Sequence, residues 1–581
     1  MPHRLQHHVA DTDADVTASS PLAAIDVAAL RGRRATSRWN RVSVGDLLER
    51  LTWSEPEKEA IVGWEGAYEN LAHARLTYLA ADRLANQVAH ALLAEGLRAG
   101  DVVALLTENS VEALVTKLGI AKAGLVAAPM NPSMAADQLA SMIELVEPAF
   151  LVVDAELWPR AELVLTERGV LPGVAIAIGG PLPGVPTFTE FVAGRPTAEP
   201  DAVVHGDDIA EILFTSGTTA SPKGVMLSHS NAYMGGYSFT GLATAGLRFQ
   251  HHLRLGCFLP IVYHSGDVLF TAVALSGGTL VLGRRPDPTA MAQAVHTERL
   301  TALWAGMPRL VRAVVAALDE RPELDTASLH TLVYGWSPMP ADVYAALKER
   351  VGEQVTVAEI LGMTEVIPAH RYWHEDNHAI EETKGTEDNY VGLPSPAIAA
   401  RLDDAGATVP LGGDGVGEVV YRSPALMAGY YRDEEATRHA LRDGWFHGGD
   451  AFRYGQEDQR LMVDRYKDLI KSGGENVASA RVEAVLREHP AVDDVAVVGL
   501  PHPEWDEAVT AVVVARDGAG GPGLEADLVD RCKQRLARYE APKRVVFVDA
   551  LPVTVGGKIL KHRLREQLAG LYTREEETAR V

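Results

Sequence analysis

The chain has 581 residues, 47% hydrophobic and 23% charged, with 54 basic against 78 acidic side chains and a net charge of −24. Such a length supports several buried cores rather than one small domain, and the acidic surface argues against nucleic-acid or membrane-surface binding as the main task. Two cysteines, Cys257 and Cys532, stand far apart and outside any CxxC pattern, which argues against a disulfide framework or a zinc site and for a reducing cytoplasm.

Residues 1–40 read as a mobile extension, and its start, to about residue 20, is polar without the apolar core of a secretory signal. Helical spacing of apolar residues follows at 46–51 and 79–97, where Ala80, Leu84, Val88 and Leu92 recur at four-residue steps. Gly100-Asp101 turns the chain into the continuous apolar run 102–106, the pattern of a strand buried on both faces. Helix 111–123, strand 125–128, helix 134–145 and strand 149–153 continue the alternation, which predicts a largely parallel sheet covered by helices. The apolar stretch 256–283 is broken by His264, Asp267 and paired glycines; it predicts buried strands and turns, not a membrane span. From about residue 403, short strands between Gly and Asp turns predict a small antiparallel or barrel-like unit. After Asp464 an α+β segment is expected: helix 479–488, strands 492–499 and 508–515, helix 524–537 and strand 544–547.

Six short stretches carry the chemistry. Phe214-Thr215-Ser216-Gly217-Thr218-Thr219-Ala220-Ser221-Pro222-Lys223-Gly224 follows an apolar run. Its hydroxyls, turn-forming glycines and lysine suit phosphate oxygens, although the GxxxxGK[ST] spacing is absent. The others are Pro260-Ile261-Val262-Tyr263-His264-Ser265-Gly266, Leu361-Gly362-Met363-Thr364-Glu365, Trp445-Phe446-His447-Gly448-Gly449-Asp450, the run from Asp464 to Asn476, and Pro552-Val553-Thr554-Val555-Gly556-Gly557-Lys558-Ile559-Leu560. A literal GxGxxG, from Gly518 to Gly523, reads better as a loose connector than as a dinucleotide loop.

In this order the six stretches resemble the motifs of the adenylate-forming superfamily, which includes acyl- and aryl-CoA synthetases, adenylation domains of peptide synthetases and luciferases. The resemblance runs from about residue 42 to 566. It implies an ATP-dependent carboxylic acid–CoA ligase that forms an acyl-AMP and then a thioester. The fold it implies is α/β: a large N-terminal domain, 41–464, of helix-covered, largely parallel sheets plus a small β-rich unit, and a small mobile α+β C-terminal domain, 465–581.

By the same resemblance, Thr215, Ser216, Gly217, Thr218, Thr219 and Lys223 hold the phosphates of ATP. Thr364 contacts the α-phosphate, and Glu365 holds Mg2+, a cation that takes hard oxygen ligands. Asp450 accepts from both ribose hydroxyls, as a carboxylate can, and Arg465 touches the nucleotide. Lys467 lies at the hinge, Gly473 and Gly474 approach the pantetheine arm of coenzyme A, and Lys558 is the adenylation catalyst. His264, Gly335, Trp336 and Ser337 border the acid pocket. Trp336 stands where the family usually has a small residue, which favours a compact, even aromatic, acid. Leu361 replaces a usual aromatic residue and Arg481 a usual acidic one, whereas Glu483 keeps the second acidic position. A carrier protein as acceptor and a medium- or long-chain fatty acid as substrate stay open, as does a homodimer. The expected partners are a small carboxylic acid, ATP and coenzyme A, with no nucleic acid.

Overall fold

A computed structural model describes residues 42–581 except 135, 171, 216–221, 247, 249–251, 384–387, 405, 414, 466–467, 473–474, 517–519, 554–558 and 573–581. The extension expected at 1–40 lies outside the described residues. The alternating apolar runs and helices build two large sheets. In the first, the strands stand in the order Gly429–Tyr430, Lys223–Ser228, Ile209–Thr215, Val126–Pro129, Val102–Leu106, Phe150–Asp154, Gly173–Ile178. Pairing is parallel from Ile209–Thr215 onward and antiparallel in the two pairs before it. Val102–Leu106 is buried along its whole length, as a strand covered on both faces must be. Thr77 and Ser110 cap the neighbouring helices Tyr78–Ala94 and Val111–Lys122, each side chain accepting a first-turn N–H.

The second sheet has a parallel half, in the order Glu59–Gly63, Thr279–Leu282, Arg254–Cys257, Ala302–Gly306, Thr331–Gly335, Thr356–Met363. It continues antiparallel through Val366–Trp373, Tyr390–Pro394, Arg460–Arg465, Phe446–Tyr454, Gly417–Arg422 and Ala399–Asp404. The β-rich unit expected after residue 403 therefore extends this sheet. Its inner residues, among them Val419, Tyr421, Phe446 and Phe452, pack with Leu213, Val225 and Leu227 of the first sheet. That apolar contact sets the edge of one sheet against the end of the other, and the candidate site lies at the junction.

The stretch 256–283 departs from expectation. It holds the strands Arg254–Cys257 and Thr279–Leu282, but between them runs a helix, His264–Leu275. Ten of its twelve residues are buried, so no polar face marks the helical period, and a uniformly apolar run does not distinguish helix from strand. Tyr263 also offers no side-chain cap.

The C-terminal segment forms a smaller sheet around the hairpin of Val492–His502 and Asp506–Ala515, with Arg544–Phe547 parallel to the latter. Helices Ser479–Arg487 and Pro522–Arg535 cover a core that includes Val482, Val497, Ala511 and Leu528. In the glycine run before the second helix, Gly518 and Ala519 lie outside the described residues. A Cβ on Gly520 would come within 3.0 Å of the Phe547 side chain, so packing accounts for that glycine.

Candidate active site

Strand Ile209–Thr215 turns back into Lys223–Ser228, and Thr215 faces Lys223 across the pair. The hairpin thus holds the two ends of the hydroxyl-rich loop in register. Ser216, Gly217, Thr218 and Thr219, the loop's centre, lie outside the described residues. The outer edge of the hairpin pairs with Gly429–Tyr430, which sets the Tyr430 ring 4.8 Å from the Lys223 ammonium, within cation–π range.

Thr364 and Glu365 form the two-residue turn between Thr356–Met363 and Val366–Trp373. The Glu365 carbonyl accepts from the Met427 N–H at 2.9 Å. The Tyr430 phenol donates to Glu365 Oε1 at 2.7 Å. Burial, and then the adjoining carboxylate, push that phenol far above its ordinary range, so it remains a donor. Lys223, Tyr430 and Glu365 therefore stand in one row. Sequence reasoning missed Tyr430, because no local pattern announces a contact 65 residues away from its partner.

Asp450 and Arg465 face each other across the pair Phe446–Tyr454 and Arg460–Arg465, with Nη1 2.9 Å from Oδ1. Asp450 is only 3% exposed. The segment before it is fixed by Glu418, a second residue that sequence reasoning missed. Its carboxylate accepts from the Gly449 N–H at 3.0 Å and lies 2.8 Å from His447 Nδ1. Just before Arg465, the Asp464 carboxylate accepts from the Ser479 N–H at 2.8 Å, tying the strand to the first helix of the C-terminal segment. Lys561 lies 2.8 Å from Glu483 on that helix. Lys467, Gly473, Gly474 and Lys558 lie outside the described residues.

His264 opens its helix and is 3% exposed. Its Nδ1 lies 2.8 Å from the Thr364 carbonyl; a carbonyl only accepts, so Nδ1 carries the proton. Burial, only partly offset by Asp267, lowers this imidazole to about 4, and the ring is neutral at physiological pH. Its Nε2 is buried and makes no hydrogen bond among the described residues. That lone pair can accept from a bound molecule but is a weak base.

Beside His264, Tyr263 meets Trp336 edge-on at 6.1 Å, and Trp336 meets Trp304 at 5.8 Å. The Asn131 amide donates to the Tyr263 phenol at 2.8 Å. Trp336 has φ +67°, rare for a bulky side chain. The residue is 52% exposed, whereas Trp304 is 1% exposed. Trp336 is thus a partly open aromatic wall, not a core residue. Gly335 is buried, and a Cβ there would stand 2.6 Å from the Ile360 carbonyl; Ser337 is exposed.

The arrangement joins a hairpin that ends in a hydroxyl-rich loop, an acidic turn, a part-buried acid–guanidinium pair and a group of aromatic side chains, features suited to an enzyme that activates a substrate with a nucleotide. Residues 49–431 match the family model described as AMP-binding enzyme, and 481–558 match the AMP-binding enzyme C-terminal domain. The chain is 31% identical over 528 residues to the long-chain-fatty-acid–CoA ligase FadD13 of Mycobacterium tuberculosis, covering 90% of this chain and 98% of that one. It is 35% identical over 493 residues to a feruloyl-CoA synthase of Amycolatopsis, covering 85% and 94%. ATP-bound MatB from Rhodopseudomonas palustris superposes with a TM-score of 0.75 at 29% identity, over 91% of this chain and 99% of that one. The chain belongs to the AMP-binding enzyme family, within the adenylate-forming superfamily, and the two-part α/β fold expected of it is the one found.

Proposed function

We propose that the chain ligates a carboxylic acid to coenzyme A in two half-reactions. In the first, the carboxylate attacks the α-phosphorus of ATP, the P–O bond to the β-phosphate breaks, and pyrophosphate leaves. In the second, the thiol sulfur attacks the acyl carbon of the mixed anhydride, the thiol proton is lost, and AMP leaves. The observation that carries this reading is the row Lys223–Tyr430–Glu365, which joins a cation on the phosphate hairpin to a carboxylate on the turn. Fixed charges beside a transferring phosphoryl group stabilise developing charge without reorganisation.

In this reading Thr215, Ser216, Gly217, Thr218, Thr219 and Lys223 bind the phosphates, and Thr364 orients the α-phosphate. Asp450 takes the ribose hydroxyls while Arg465 holds its carboxylate. Lys558 stabilises the adenylation step, Lys467 marks the hinge, and Gly473 and Gly474 flank the thiol's path. The working units are 41–464 and 465–581. Mg2+ fits Glu365: its Oε1 is occupied by Tyr430, while Oε2 makes no hydrogen bond among the described residues. Among those residues no group of three His, Cys, Asp or Glu side chains could hold a metal by itself. One carboxylate plus phosphate oxygens is how Mg2+ is usually bound, and the bound ion would neutralise phosphate charge.

The wall of Tyr263 and Trp336, backed by the buried Trp304, supports a compact acid, an aryl acid above all, over a long chain. The relative named a feruloyl-CoA synthase fits that choice. The reaction belongs in the cytoplasm, where ATP and coenzyme A are both at hand. Among the described residues no helix is long and apolar enough to cross a membrane.

The test is pyrophosphate release from ATP over a panel of aryl, short and long aliphatic acids, with and without coenzyme A. Lys558→Ala is expected to abolish adenylate formation and to spare thioester formation from supplied acyl-AMP. Equal loss in both halves, or no conversion of ATP to AMP with any acid, overturns the reading.

A further inference from the structure

Helix Val111–Lys122 carries a charged cluster that this chemistry does not use. The Lys117 ammonium lies 3.0 Å from Glu211 Oε2 and also contacts the Asp267 carboxylate. Lys117 and Glu211 are buried and Asp267 nearly so, in a recess lined mostly by apolar residues such as Leu114, Ala210 and Phe270. Glu211 sits on strand Ile209–Thr215, four residues before Thr215, so its Cα is about 13 Å along the strand from the start of the phosphate loop. Asp267 lies in the first turn of helix His264–Leu275, about 4.5 Å along the axis from His264. One ammonium thus ties the strand that delivers the phosphate loop to the helix that delivers the acid-pocket histidine.

The same helix makes a second attachment at its start. Asn109 donates to the carbonyls of Leu259 and Gly283 at 2.8 and 3.0 Å and accepts from the Ile261 N–H at 2.9 Å. This pins the segment that leads into Tyr263 and His264.

Burying three ionisable groups is a weak way to gain stability, because apolar residues of equal volume do as well or better. Fixed geometry is what such a cluster supplies. We propose that Lys117 is a positioning residue that, through Glu211 and Asp267, sets the distance between the ATP phosphates and the acid carboxylate for adenylation. The charge states agree with a neutral clamp. Burial, and then the charge of Asp267, push Glu211 well above the carboxylate range. Burial opposes ionisation of Asp267, but Lys117 and the hydrogen bond from Glu211 outweigh it. Lys117 stays charged, since its two carboxylates outweigh its burial.

The inference rests on the adenylation reading, so the two are tested separately. Pyrophosphate release by the parent chain tests the reading, and only the ratio of variant to parent tests Lys117. In the double variant Lys117→Met/Asp267→Asn, cation and anion leave together and no net charge is stranded. A loss of alignment is expected to lower kcat for pyrophosphate release by at least about tenfold, with KM for MgATP and for the acid each within about threefold. Thioester formation from supplied acyl-AMP is expected to keep its rate, because that half-reaction needs no ATP alignment. Equal losses in both halves, or a kcat within about twofold of the parent, overturn the proposal. Should the double variant fail to fold, the pair Glu211→Leu and Glu211→Gln decides. The glutamine, which can donate to Asp267 and accept from Lys117, is expected to restore most of the adenylation rate lost in the leucine variant. Equal rates in those two variants overturn the proposal as well.

Discussion

Tyr430 donates a 2.7 Å hydrogen bond to Glu365 across 65 residues of sequence, and its ring lies against Lys223. The phenol fixes one carboxylate oxygen, and the proposed function assigns the other to a cation–phosphate complex. Tyr430→Phe keeps the ring beside Lys223 and removes only the hydroxyl. It is expected to lower kcat/KM for MgATP about tenfold, equivalent to roughly 1.4 kcal/mol. A titration of MgATP in the pyrophosphate assay measures this, and an unchanged constant would deny Tyr430 its role.

Asp450 is buried and paired with Arg465. If it binds the ribose diol, the parent should discriminate strongly against 2′-deoxy-ATP, since a site built for a hydroxyl rejects analogues lacking it. Asp450→Ala should weaken ATP use by at least about tenfold and nearly erase that discrimination. The comparison is a ratio of two nucleotides on one variant, so a general loss of stability does not mimic it.

His264 is held neutral, with its imidazole lowered to about 4 from an ordinary value of 6.5. Between those two pH values the unfolded chain binds a proton at this position and the folded chain does not. Stability from this residue is therefore fully present above 6.5 and lost as pH falls toward 4. Relative to His264→Gln, the parent should lose about 1.4 kcal/mol of unfolding free energy per pH unit across that window. Denaturant titrations of both proteins at several pH values check it; a constant difference would mean that the ring titrates normally.

Trp336 occupies a left-handed backbone position at φ +67°. Glycine takes that conformation without strain, so Trp336→Gly should be more stable than Trp336→Ala by about 1 kcal/mol. Both should open the recess beside Trp304 and Tyr263 and raise kcat/KM for long acids relative to compact ones by about tenfold or more. Identical acid preferences in the parent and both variants would remove Trp336 from the pocket.

Much of the fold was legible along the chain. Runs such as 102–106 are buried on both faces, and the alternation of strands with capped helices marks a parallel sheet. Helix His264–Leu275 was not legible, because burial all round erases the periodicity that reveals a helix. For the site, the strongest signals were chemical: hydroxyls and glycines clustered in sequence before Lys223, the pair Thr364-Glu365, and the position of Asp450 after two glycines.

The sequence by itself determined which side chains each short loop carries, and those motifs bear the resemblance that implies the chemistry. Only the tertiary structure decided which distant residues meet: Tyr430 on Glu365, Glu418 behind Asp450, and Lys117 between Glu211 and Asp267. Hydrogen bonds and ion pairs act over a few ångströms of space, whatever the separation along the chain. Tyr430 and Glu365 became neighbours only when apolar burial brought the two sheets together, whereas Glu418 reaches Gly449 across paired strands of one sheet.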